Sequence, residues 1–477
     1  MPALPSAAPA SYDPASYDDA TARSSRPPMT VDLARKYDLR VPRYTSYPTA
    51  PHFGPSVDAG RYGDWLSALD PATPLSLYLH IPFCDEMCWF CGCYTKIVQR
   101  YQPIRAYLDA LMAEVTLVAA SLPGRLPVRH VHWGGGSPTM LAPADWLELV
   151  GCLRRHFDVV ADAELAVEVD PRDATEDYVA ALATAGVNRV SIGVQDFDAV
   201  VQEAINRRQP YEVVARVCGW LRTHGITRIN LDLMYGLPKQ TTDGVVRMVN
   251  RALTLDPGRV ALFGYAHVPW MKSHQKQIDE AALPDAGERY RQASAAASAL
   301  QAGGLVPVGL DHFAHPDDEL ARALAGDRLH RNFQGYTTDE APVLLGLGAS
   351  AIGSLPAGYV QNIAPLKQYG EAIAAGRLPI ARGIALTADD RPRREIIERL
   401  MCALGVDIGA VCRRHHLPPD TFARELAALA PLVDDGLVIL AGDQVEITAA
   451  GRPFARIVAA AFDSYLDRTE IRHSRAV

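Results

Sequence analysis

The stretch Tyr78–Cys93 reads Y-L-H-I-P-F-C-D-E-M-C-W-F-C-G-C and holds half of the eight cysteines in the chain. Cys84, Cys88 and Cys91 form a C-x3-C-x2-C pattern, and Cys93 follows two residues later. Three thiolates on one short loop suit three irons of a [4Fe-4S] cluster, which leaves the fourth iron without a local ligand. An iron with an open position activates small molecules, whereas a site closed by four cysteines transfers electrons or supports structure. The spacing therefore favours a cluster that takes part in chemistry.

Other cysteine chemistries fit this pattern less well. A structural zinc site would pair C-x2-C with a second Cys/His knuckle, and none follows at zinc spacing. A ferredoxin-type run would read C-x2-C-x2-C with a further Cys before Pro. The other cysteines, Cys152, Cys218, Cys402 and Cys412, are scattered along the chain and do not resemble a disulfide framework. A reducing compartment fits better, so we expect a cytoplasmic protein.

Composition excludes several classes of function. The chain has 477 residues, 48% hydrophobic content and a formal charge of -8, without a basic run. Binding nucleic acid is therefore not expected, and an anionic substrate must be bound by local arginines. Residues 1–31 predict a disordered leader that is not a signal peptide, and no membrane span occurs. Residues 32–74 are assigned to an arm; within it, R-Y-T-S-Y-P-T at Arg43–Thr49 predicts an extended segment packed on the main domain.

From residue 75 onward, short apolar runs alternate with amphipathic stretches, which is typical of a parallel sheet covered by helices. We predict strands at Leu75–Ile81, Val128–Trp133, Leu165–Val169, Arg189–Val194, Ile229–Met234, Val260–Tyr265 and Val306–Leu310. We predict helices at Arg105–Ala120, Ala144–Phe157, Asp177–Ala185, Tyr211–His224, Asp243–Leu255 and Gly287–Ala302. Such sheets bind ligands at the carboxyl ends of their strands, and the cysteine loop follows the first strand directly.

The pattern changes after Arg391 to helices at Glu395–Leu404 and Asp420–Leu429, a hairpin at Leu437–Thr448 and a final helix from Ala449 to about Leu466. We assign residues 75–385 to the main domain and 386–477 to this smaller, mostly helical, winged-helix-like domain. Since it lacks a basic helix for a DNA groove, a lid or packing role is expected.

Several polar or glycine residues fall at predicted strand ends. The glycines of Gly134–Pro138 let the backbone approach a ligand closely, although a tight turn alone would also explain them. Glu168 ends the third strand, where its carboxylate would bind the ammonium of an amino-acid-like ligand on the open iron. Gln195 ends the fourth strand, and Asp232 lies on the polar side of the fifth.

Four further features are weaker candidates. Arg207 follows the fourth strand but is equally explained as a solvated helix residue. Gly346–Ala351 matches G-x-G-x-x-A, but its late position without a following β-α-β unit argues against a dinucleotide site and for close approach to another ligand. His312 and Arg331 lie beyond the last predicted strand, and a lone His is more often a structural residue than a catalyst.

Taken together, these motifs resemble the radical S-adenosylmethionine (SAM) superfamily and, within it, the oxygen-independent coproporphyrinogen III oxidases. The resemblance runs from about residue 33 to the C-terminus and includes R-Y-T-S-Y-P-T, Y-L-H-I-P-F-C with C-G-C, H-W-G-G-G, E-V-D-P-R, G-V-Q-D-F, Y-G-L-P-K-Q-T, D-H-F-A and H-R-N-F-Q-G-Y-T-T. It implies an α/β fold with an incomplete parallel (β/α) barrel. It also implies a [4Fe-4S] cluster on Cys84, Cys88 and Cys91, with SAM chelated to the fourth iron.

The implied reaction converts two propionates of coproporphyrinogen III to vinyl groups, giving protoporphyrinogen IX. A 5′-deoxyadenosyl radical from SAM removes a hydrogen from the propionate β-carbon, CO2 leaves, and one electron remains. A low-potential electron donor and an electron acceptor that the sequence does not identify are therefore partners. We expect a monomer without nucleic-acid or membrane partners.

The resemblance also implies roles for individual residues. Tyr78, Gly135, Glu168 and Ile352 match residues that contact the cluster-bound SAM, and Tyr78 and Glu168 are the catalytic candidates. Seven residues match those around a second SAM: Phe90, Gly136, Ser137, Gln195, Arg207, Asp232 and Ala266. Ser137 stands where Thr is usual. The main alternative is a haem chaperone of the same superfamily, which lacks the second cysteine of C-G-C and the R-Y-T-S-Y-P-T arm. A regulator that binds DNA through the C-terminal domain is disfavoured by the lack of basic charge.

Overall fold

The computed structural model describes residues 31–466 and 474. Within them the strands, in chain order, are β1 (Leu75–Ile81), β2 (Phe83–Cys84), β3 (Lys96–Ile97), β4 (Pro127–Gly135), β5 (Asp158–Val169), β6 (Arg189–Gln195), β7 (Arg228–Tyr235), β8 (Arg259–Gly264), β9 (Val306–Val308), β10 (His312–Ala314), β11 (His330–Asn332), β12 (Gly335–Thr337), β13 (Val343–Leu347), β14 (Ile352–Leu355), β15 (Gly358–Asn362), β16 (Ile380–Ala385), β17 (Gly405–Asp407), β18 (Val438–Ala441) and β19 (Gln444–Ile447).

The helices of the same residues, in chain order, are α1 (Val31–Lys36), α2 (Ala59–Ser67), α3 (Gln102–Ala120), α4 (Pro143–His156), α5 (Glu176–Ala185), α6 (Ala199–Ala204), α7 (Tyr211–Thr223), α8 (Thr242–Leu253), α9 (Ala286–Ala302), α10 (Glu319–Ala325), α11 (Leu366–Ala374), α12 (Asp390–Cys402), α13 (Ile408–Arg414), α14 (Ala423–Ala428), α15 (Ala430–Asp434) and α16 (Ala455–Ala460). Side-chain caps define several of their starts. Thr175 accepts a hydrogen bond from the backbone N–H of Tyr178 at the start of α5, and Thr241 does the same for Gly244 at α8.

The main sheet contains a run of parallel strands in the order β13-β1-β4-β5-β6-β7-β8. Antiparallel strands extend both sides of this run, β14-β15-β16 beyond β13 and β10-β9 beyond β8. Among the described strands, the sheet runs from β16 to β9 without closing on itself. The predicted fold class, an incomplete parallel barrel with helices on its outer face, is confirmed.

One predicted strand was placed wrongly. The run Val306–Leu310 was expected to continue the parallel series, but only Val306–Val308 is a strand, and it pairs antiparallel with β10 at the edge of the sheet. The seventh parallel strand is instead β13, a short and fully buried segment beside β1. A proline at position 307 suits an edge strand, because it cannot donate a ladder hydrogen bond.

The N-terminal arm and the C-terminal segment share one apolar core. Tyr37, Tyr44 and Tyr47 pack with α12, α16 and the hairpin of β18 and β19, separately from the large core of the barrel. The first part of the arm, residues 34–47, therefore packs on the C-terminal domain, whereas Val57, Tyr62 and Leu66 pack in the core of the barrel. The segment Arg43–Thr49, expected to pack on the main domain, contacts both domains, because the carbonyl of Tyr47 also accepts a hydrogen bond from the hydroxyl of Tyr359 in β15. The predicted hairpin is present, but the expected final helix is helical only at Ala455–Ala460, after a 3-10 turn at Arg452–Phe454.

The predicted leader lies almost entirely outside the described residues, which begin at Val31. No helix of the described part of the chain is both long enough and apolar enough to cross a bilayer.

Candidate active site

The carboxyl ends of the parallel strands surround an open cavity of about 860 Å³. The three cysteines of the C-x3-C-x2-C pattern and Cys93 line it. Nine residues predicted to contact SAM also line it: Phe90, Gly135, Gly136, Glu168, Gln195, Arg207, Asp232, Ala266 and Ile352. The fold thus brings together residues that lie up to 268 positions apart in the sequence, counting from Cys84 to Ile352.

The cysteine loop is held in place by backbone-directed hydrogen bonds from two other segments. After α6, Asn206 donates to the carbonyl of Met87 at 2.9 Å. From the segment after β8, His274 Nε2 lies 2.7 Å from the carbonyl of Cys91, and Gln275 Nε2 donates to the carbonyl of Phe90 at 3.0 Å. Because these bonds act on the backbone, the thiol groups stay available for a metal cluster.

Two arginines converge on Cys88. Nη2 of Arg172 and Nη1 of Arg207 each donate to Cys88 Sγ at 3.6 Å. Both guanidiniums also bind Asp170 Oδ2, at 2.8 and 2.9 Å respectively. Burial raises the pKa of the Cys88 thiol, but Arg207 and Arg172 oppose that rise. The two guanidiniums thus favour the thiolate, which is the form that binds iron, against the effect of burial.

The other two predicted ligands have different surroundings. Burial, together with the neighbouring Cys91 and Cys88, raises the pKa of the Cys84 thiol. A hydrogen bond with Cys93 lowers the pKa of Cys91, and the backbone N–H of Cys93 donates to Cys91 Sγ at 3.4 Å. Within the described residues, no three His, Cys, Asp or Glu side chains are close enough to bind a single metal ion. Cys84, Cys88 and Cys91 nevertheless line one cavity, and a cubane cluster binds each thiolate through a separate iron.

The glycines at the end of β4 let the backbone pack closely against the cysteine loop and Glu168. A Cβ added at Gly134 would lie 2.5 Å from Glu168 Oε1, and one at Gly136 would lie 2.6 Å from the Phe83 carbonyl oxygen. Gly135 has a φ of 112° and donates its N–H to Glu168 Oε2 at 3.1 Å. The glycines are therefore required by close backbone approach, in addition to forming the turn.

Glu168 is an ionised carboxylate that faces the cavity. Oε1 lies 3.1 Å from His132 Nε2, and the side chain remains 39% exposed. Burial opposes its ionisation, but the hydrogen bonds from His132 and Gly135 outweigh burial and lower the pKa of Glu168. A carboxylate held in this way can bind a cationic group of a ligand.

Two predicted contact residues, Tyr78 and Ser137, are absent from the described cavity wall. The Tyr78 hydroxyl lies 3.0 Å from His80 Nδ1, and its ring stacks on His132. Ser137 is buried with its hydroxyl bonded to the Thr139 hydroxyl. Both side chains thus support residues around the cavity.

The opposite wall carries Gln195, Arg207 and Asp232. Arg207 is anchored by a 2.7 Å hydrogen bond from Nη2 to the Gly193 carbonyl, but its buried Nε has no hydrogen-bond partner within the described protein. Asp232 accepts hydrogen bonds from Ser191 at 3.0 Å and Asn230 at 2.8 Å. Burial, and then the charge of Glu168, raises the pKa of Asp232 to about 6. Arg207 is therefore a buried residue of the site, and the alternative of a solvated arginine is wrong.

The weaker candidates lie elsewhere. His312 lines an adjoining cavity of about 250 Å³ that shares Glu168 and Asp232 with the main one, and its Nδ1 is 2.8 Å from Asp311 Oδ1. Arg331 lines another cavity of about 230 Å³ behind the arm, with its guanidinium over the Tyr336 ring. The loop Gly346–Ala351 packs against Tyr107: a Cβ at Gly348 would lie 2.4 Å from its hydroxyl. Close packing between protein segments thus explains this glycine motif.

Sequence reasoning missed a buried carboxylate behind that loop. Glu114 of α3 accepts hydrogen bonds from the N–H of Gly348, the Tyr369 hydroxyl and Asn362 Nδ2, each at 2.6 Å. Asn362 also donates to the Gly348 carbonyl at 2.9 Å. This network fixes the loop that leads into Ile352 at the cavity. The signal in the sequence is a single Glu inside the apolar run A-L-M-A-E-V-T-L-V, which is costly to bury unless paired.

Replacing Glu114 with Gln should change how stability depends on pH. Burial raises the pKa of Glu114 to about 7 despite its hydrogen bonds. Because the pKa is higher in the folded protein than in the unfolded chain, where it is near 4.5, protonated Glu114 stabilises the fold fully below about pH 4.5. This stabilisation is lost as pH rises toward 7. The wild type should therefore lose up to about 3 kcal/mol relative to Glu114→Gln between pH 4.5 and 7.5, measured by urea unfolding.

The exposed Glu371 on α11 is a matched control, since it makes only a 3.9 Å contact with Lys367. Glu371→Gln should leave the pH dependence of the wild type unchanged. A constant stability difference between wild type and Glu114→Gln across this pH range would contradict the expectation.

Comparisons with known proteins agree with this geometry. Residues 78–252 match the family model described as the radical SAM superfamily, and residues 386–454 match that of the HemN C-terminal domain. The oxygen-independent coproporphyrinogen III oxidase of Bradyrhizobium diazoefficiens is 52% identical over 450 residues, which cover 94% of this chain and 100% of the relative. The chain belongs to the oxygen-independent coproporphyrinogen III oxidase family. The predicted resemblance is thereby confirmed.

Other members of the oxidase family give the same result. The oxygen-independent coproporphyrinogen III oxidase of Escherichia coli is 42% identical over 437 residues, covering 91% of this chain and 95% of the relative. The solved structure of coproporphyrinogen III oxidase from Escherichia coli, described as a radical SAM enzyme, superposes with a TM-score of 0.85 at 40% identity and covers 90% of this chain and 100% of that one. These relatives favour the enzyme hypothesis over the haem chaperone.

Membership of the radical SAM superfamily implies a [4Fe-4S] cluster and SAM, and the site fits both. Cys84, Cys88 and Cys91 line one cavity together with Glu168 and the glycine turn, and these three thiols would hold three of the four irons of a cluster. The buried Arg207 Nε, which has no hydrogen-bond partner within the described protein, indicates a polar ligand in this cavity.

Proposed function

We propose that this chain converts two propionate side chains of coproporphyrinogen III to vinyl groups, giving protoporphyrinogen IX and two CO2. One observation carries the proposal: the three-cysteine loop and nine family-matched SAM contacts line a single cavity in a member of the oxidase family. When bound, the cluster and SAM supply the 5′-deoxyadenosyl radical that removes a hydrogen atom from the propionate β-carbon.

In this proposal Cys84, Cys88 and Cys91 hold the cluster. Glu168 and the backbone of Gly135 orient the cluster-bound SAM, because an ionised carboxylate and exposed peptide groups suit its ammonium. Ile352 contacts its apolar part, and Tyr78 acts from behind through His80 and His132. Tyr78 and Glu168 are then the residues on which catalysis depends most closely.

A second SAM belongs to the same proposal. Its contacts would come from Phe90, Gly136, Gln195, Arg207, Asp232 and Ala266, which line the cavity, and from Ser137 behind them. The support is chemical: Arg207 offers a buried donor to a carboxylate, and Asp232 offers an acceptor to an amine or hydroxyl.

The remaining partners follow from electron balance. Each propionate loses a hydrogen atom and CO2, which leaves one electron to be taken by an acceptor. A low-potential donor must also reduce the cluster in each turnover. We further propose a monomer that acts in the cytoplasm, divided into the arm 32–74, the catalytic barrel 75–385 and the C-terminal domain 386–477.

The reconstituted protein should decarboxylate coproporphyrinogen III under strict anoxia when supplied with reductant and SAM. The expected products are two CO2 and the divinyl porphyrinogen, measured by mass spectrometry, with a reaction lacking reductant as the control. SAM cleavage without decarboxylation, or stable stoichiometric haem binding, would contradict the proposal and favour the chaperone.

A further inference from the structure

The cavity offers cations that the protein itself does not neutralise. Its lining contains four Lys or Arg side chains: Arg43, Arg172, Arg207 and Lys272. Arg172 and Arg207 form ion pairs with Asp170 at 2.8 and 2.9 Å. Neither Arg43 nor Lys272 lies within 4.0 Å of a carboxylate of the described residues. Cations in these positions are available to an anionic ligand.

Arg43 projects from the arm into the cavity, where protein surrounds its side chain but leaves it accessible to a ligand. Its one hydrogen bond is long, 3.4 Å from Nη2 to the carbonyl of Gly264 at the end of β8. A guanidinium has five N–H donors in a planar fork, so most of its donors remain available. Burial lowers the pKa of Arg43. The positive charges of Arg331 and Arg289 lower it further, whereas the carboxylate of Asp311 raises it. A bound carboxylate would therefore stabilise the charged form.

The C-terminal segment holds the arm, and with it Arg43, over the cavity. Nε of Arg456 donates to the carbonyl of Pro42 at 2.9 Å, on the residue before Arg43. The hydroxyl of Tyr44, the residue after it, donates to Asp463 at 3.0 Å. Both neighbours of Arg43 are thus fixed, so the backbone at Arg43 is already ordered when the guanidinium binds a ligand.

Lys272 also lines the cavity and lies next to the cysteine loop. Its Nζ donates to the carbonyl of Cys93 at 3.0 Å, which leaves two of three donors available. The preceding Trp270 and Met271 also line the cavity and are 39% and 64% exposed. The wall therefore combines an apolar surface with a cation at its inner end, which suits a macrocycle that carries carboxylates on its rim.

We propose that Arg43 and Lys272 bind two carboxylates of the tetracarboxylate substrate within this cavity. The inference rests on the proposed function and deepens it, because it names the residues that recognise the substrate's acidic groups. Lys272, beside the cysteine loop, binds the propionate nearer to the cluster, and Arg43 at the end of β8 binds one farther from it. The macrocycle lies between them against Trp270 and Met271.

The test compares coproporphyrinogen III with its tetramethyl ester, which keeps the macrocycle and removes every charge. Anaerobic titrations give the Kd of each probe for the reconstituted protein and for Arg43→Gln, Lys272→Gln and Arg43→Lys. Each Gln variant should bind the tetra-acid about 10- to 100-fold more weakly, because a charge-assisted hydrogen bond is lost. Binding of the ester should change less than threefold. Arg43→Lys should regain part of the loss.

Arg61 and Lys276 provide matched controls, since both are exposed and neither lines the cavity. Arg61→Gln and Lys276→Gln should bind both probes as the wild type does, and all variants should keep the same iron content. Equal weakening for the acid and the ester would show a structural role and overturn the inference, as would unchanged binding of the acid. A wild type that decarboxylates while the Gln variants bind normally refutes only this inference. A wild type without decarboxylation refutes the proposed function.

Discussion

Single replacement of Cys84, Cys88 or Cys91 by serine is expected to abolish the iron-sulfur cluster and with it all SAM cleavage. A serine hydroxyl is a hard ligand that stays protonated near neutral pH, and so it does not replace a soft thiolate on iron. Cys88 should be the most sensitive position, because two arginines are arranged around its sulfur. Iron and sulfide analysis, with EPR of the reduced protein, measures the result.

Cys93→Ser is the matched control within the same loop. Cys93 is exposed, and both its backbone N–H and its side chain form hydrogen bonds to the Cys91 thiol. Serine keeps the backbone N–H and supplies a hydroxyl donor in place of the thiol. This variant should retain the cluster and cleave SAM within a few-fold of the wild-type rate. Loss of the cluster in Cys93→Ser, or its retention in any of the other three variants, would show that the division into three ligands and one bystander is wrong.

The fold could be predicted largely from local patterns. Six of the seven parallel strands follow from apolar runs separated by amphipathic helices, because burial on both faces leaves a continuous signal. The exception is β13, V-L-L-G-L, which is as apolar as the other strands. It does not follow an amphipathic helix in the chain, because β11 and β12 directly precede it. Val306–Val308 has the composition of a core strand, and its edge position is determined by pairing with β10, which a local pattern does not encode.

The parts of the site that are local sequence motifs could be predicted, whereas those that depend on contacts between distant residues could not. The cysteine pattern and the glycine turn are local features, and both line the cavity. Asp170 and Arg172 stand in the motif E-V-D-P-R, yet their role depends on Arg207, which is 35 residues farther along. Arg43 likewise lies at the cavity only because the C-terminal segment binds the residues on either side of it. Such long-range pairings have no periodicity in the sequence.

Asp170→Asn is expected to produce the largest loss of stability among changes that leave the cysteines intact. The carboxylate is only 10% exposed and neutralises Arg172 and Arg207, whose side chains are 13% and 8% exposed. Removing one partner of a buried ion pair leaves uncompensated charge and costs about 3–5 kcal/mol. Burial disfavours the charged form, but Arg207 and Arg172 outweigh it and lower the pKa of Asp170 to about 2. Its contribution is thus complete above about pH 4 and lost only as pH falls toward 2.

Asp173→Asn tests whether this loss is specific, because Asp173 is a neighbouring partly buried aspartate without a compensating cation bond. Its Oδ2 has no hydrogen-bond partner among the described residues, and burial together with Asp170 raises its pKa to about 6. A raised pKa means that its ionisation at pH 7 destabilises the fold, so the neutral amide should leave stability unchanged or increase it. Urea unfolding at pH 7 should therefore show a large loss of stability for Asp170→Asn and no loss for Asp173→Asn. Similar destabilisation by both variants would contradict this expectation. It would show that any carboxylate-to-amide change here destabilises the fold, and that the charge of Asp170 between Arg172 and Arg207 has no special role.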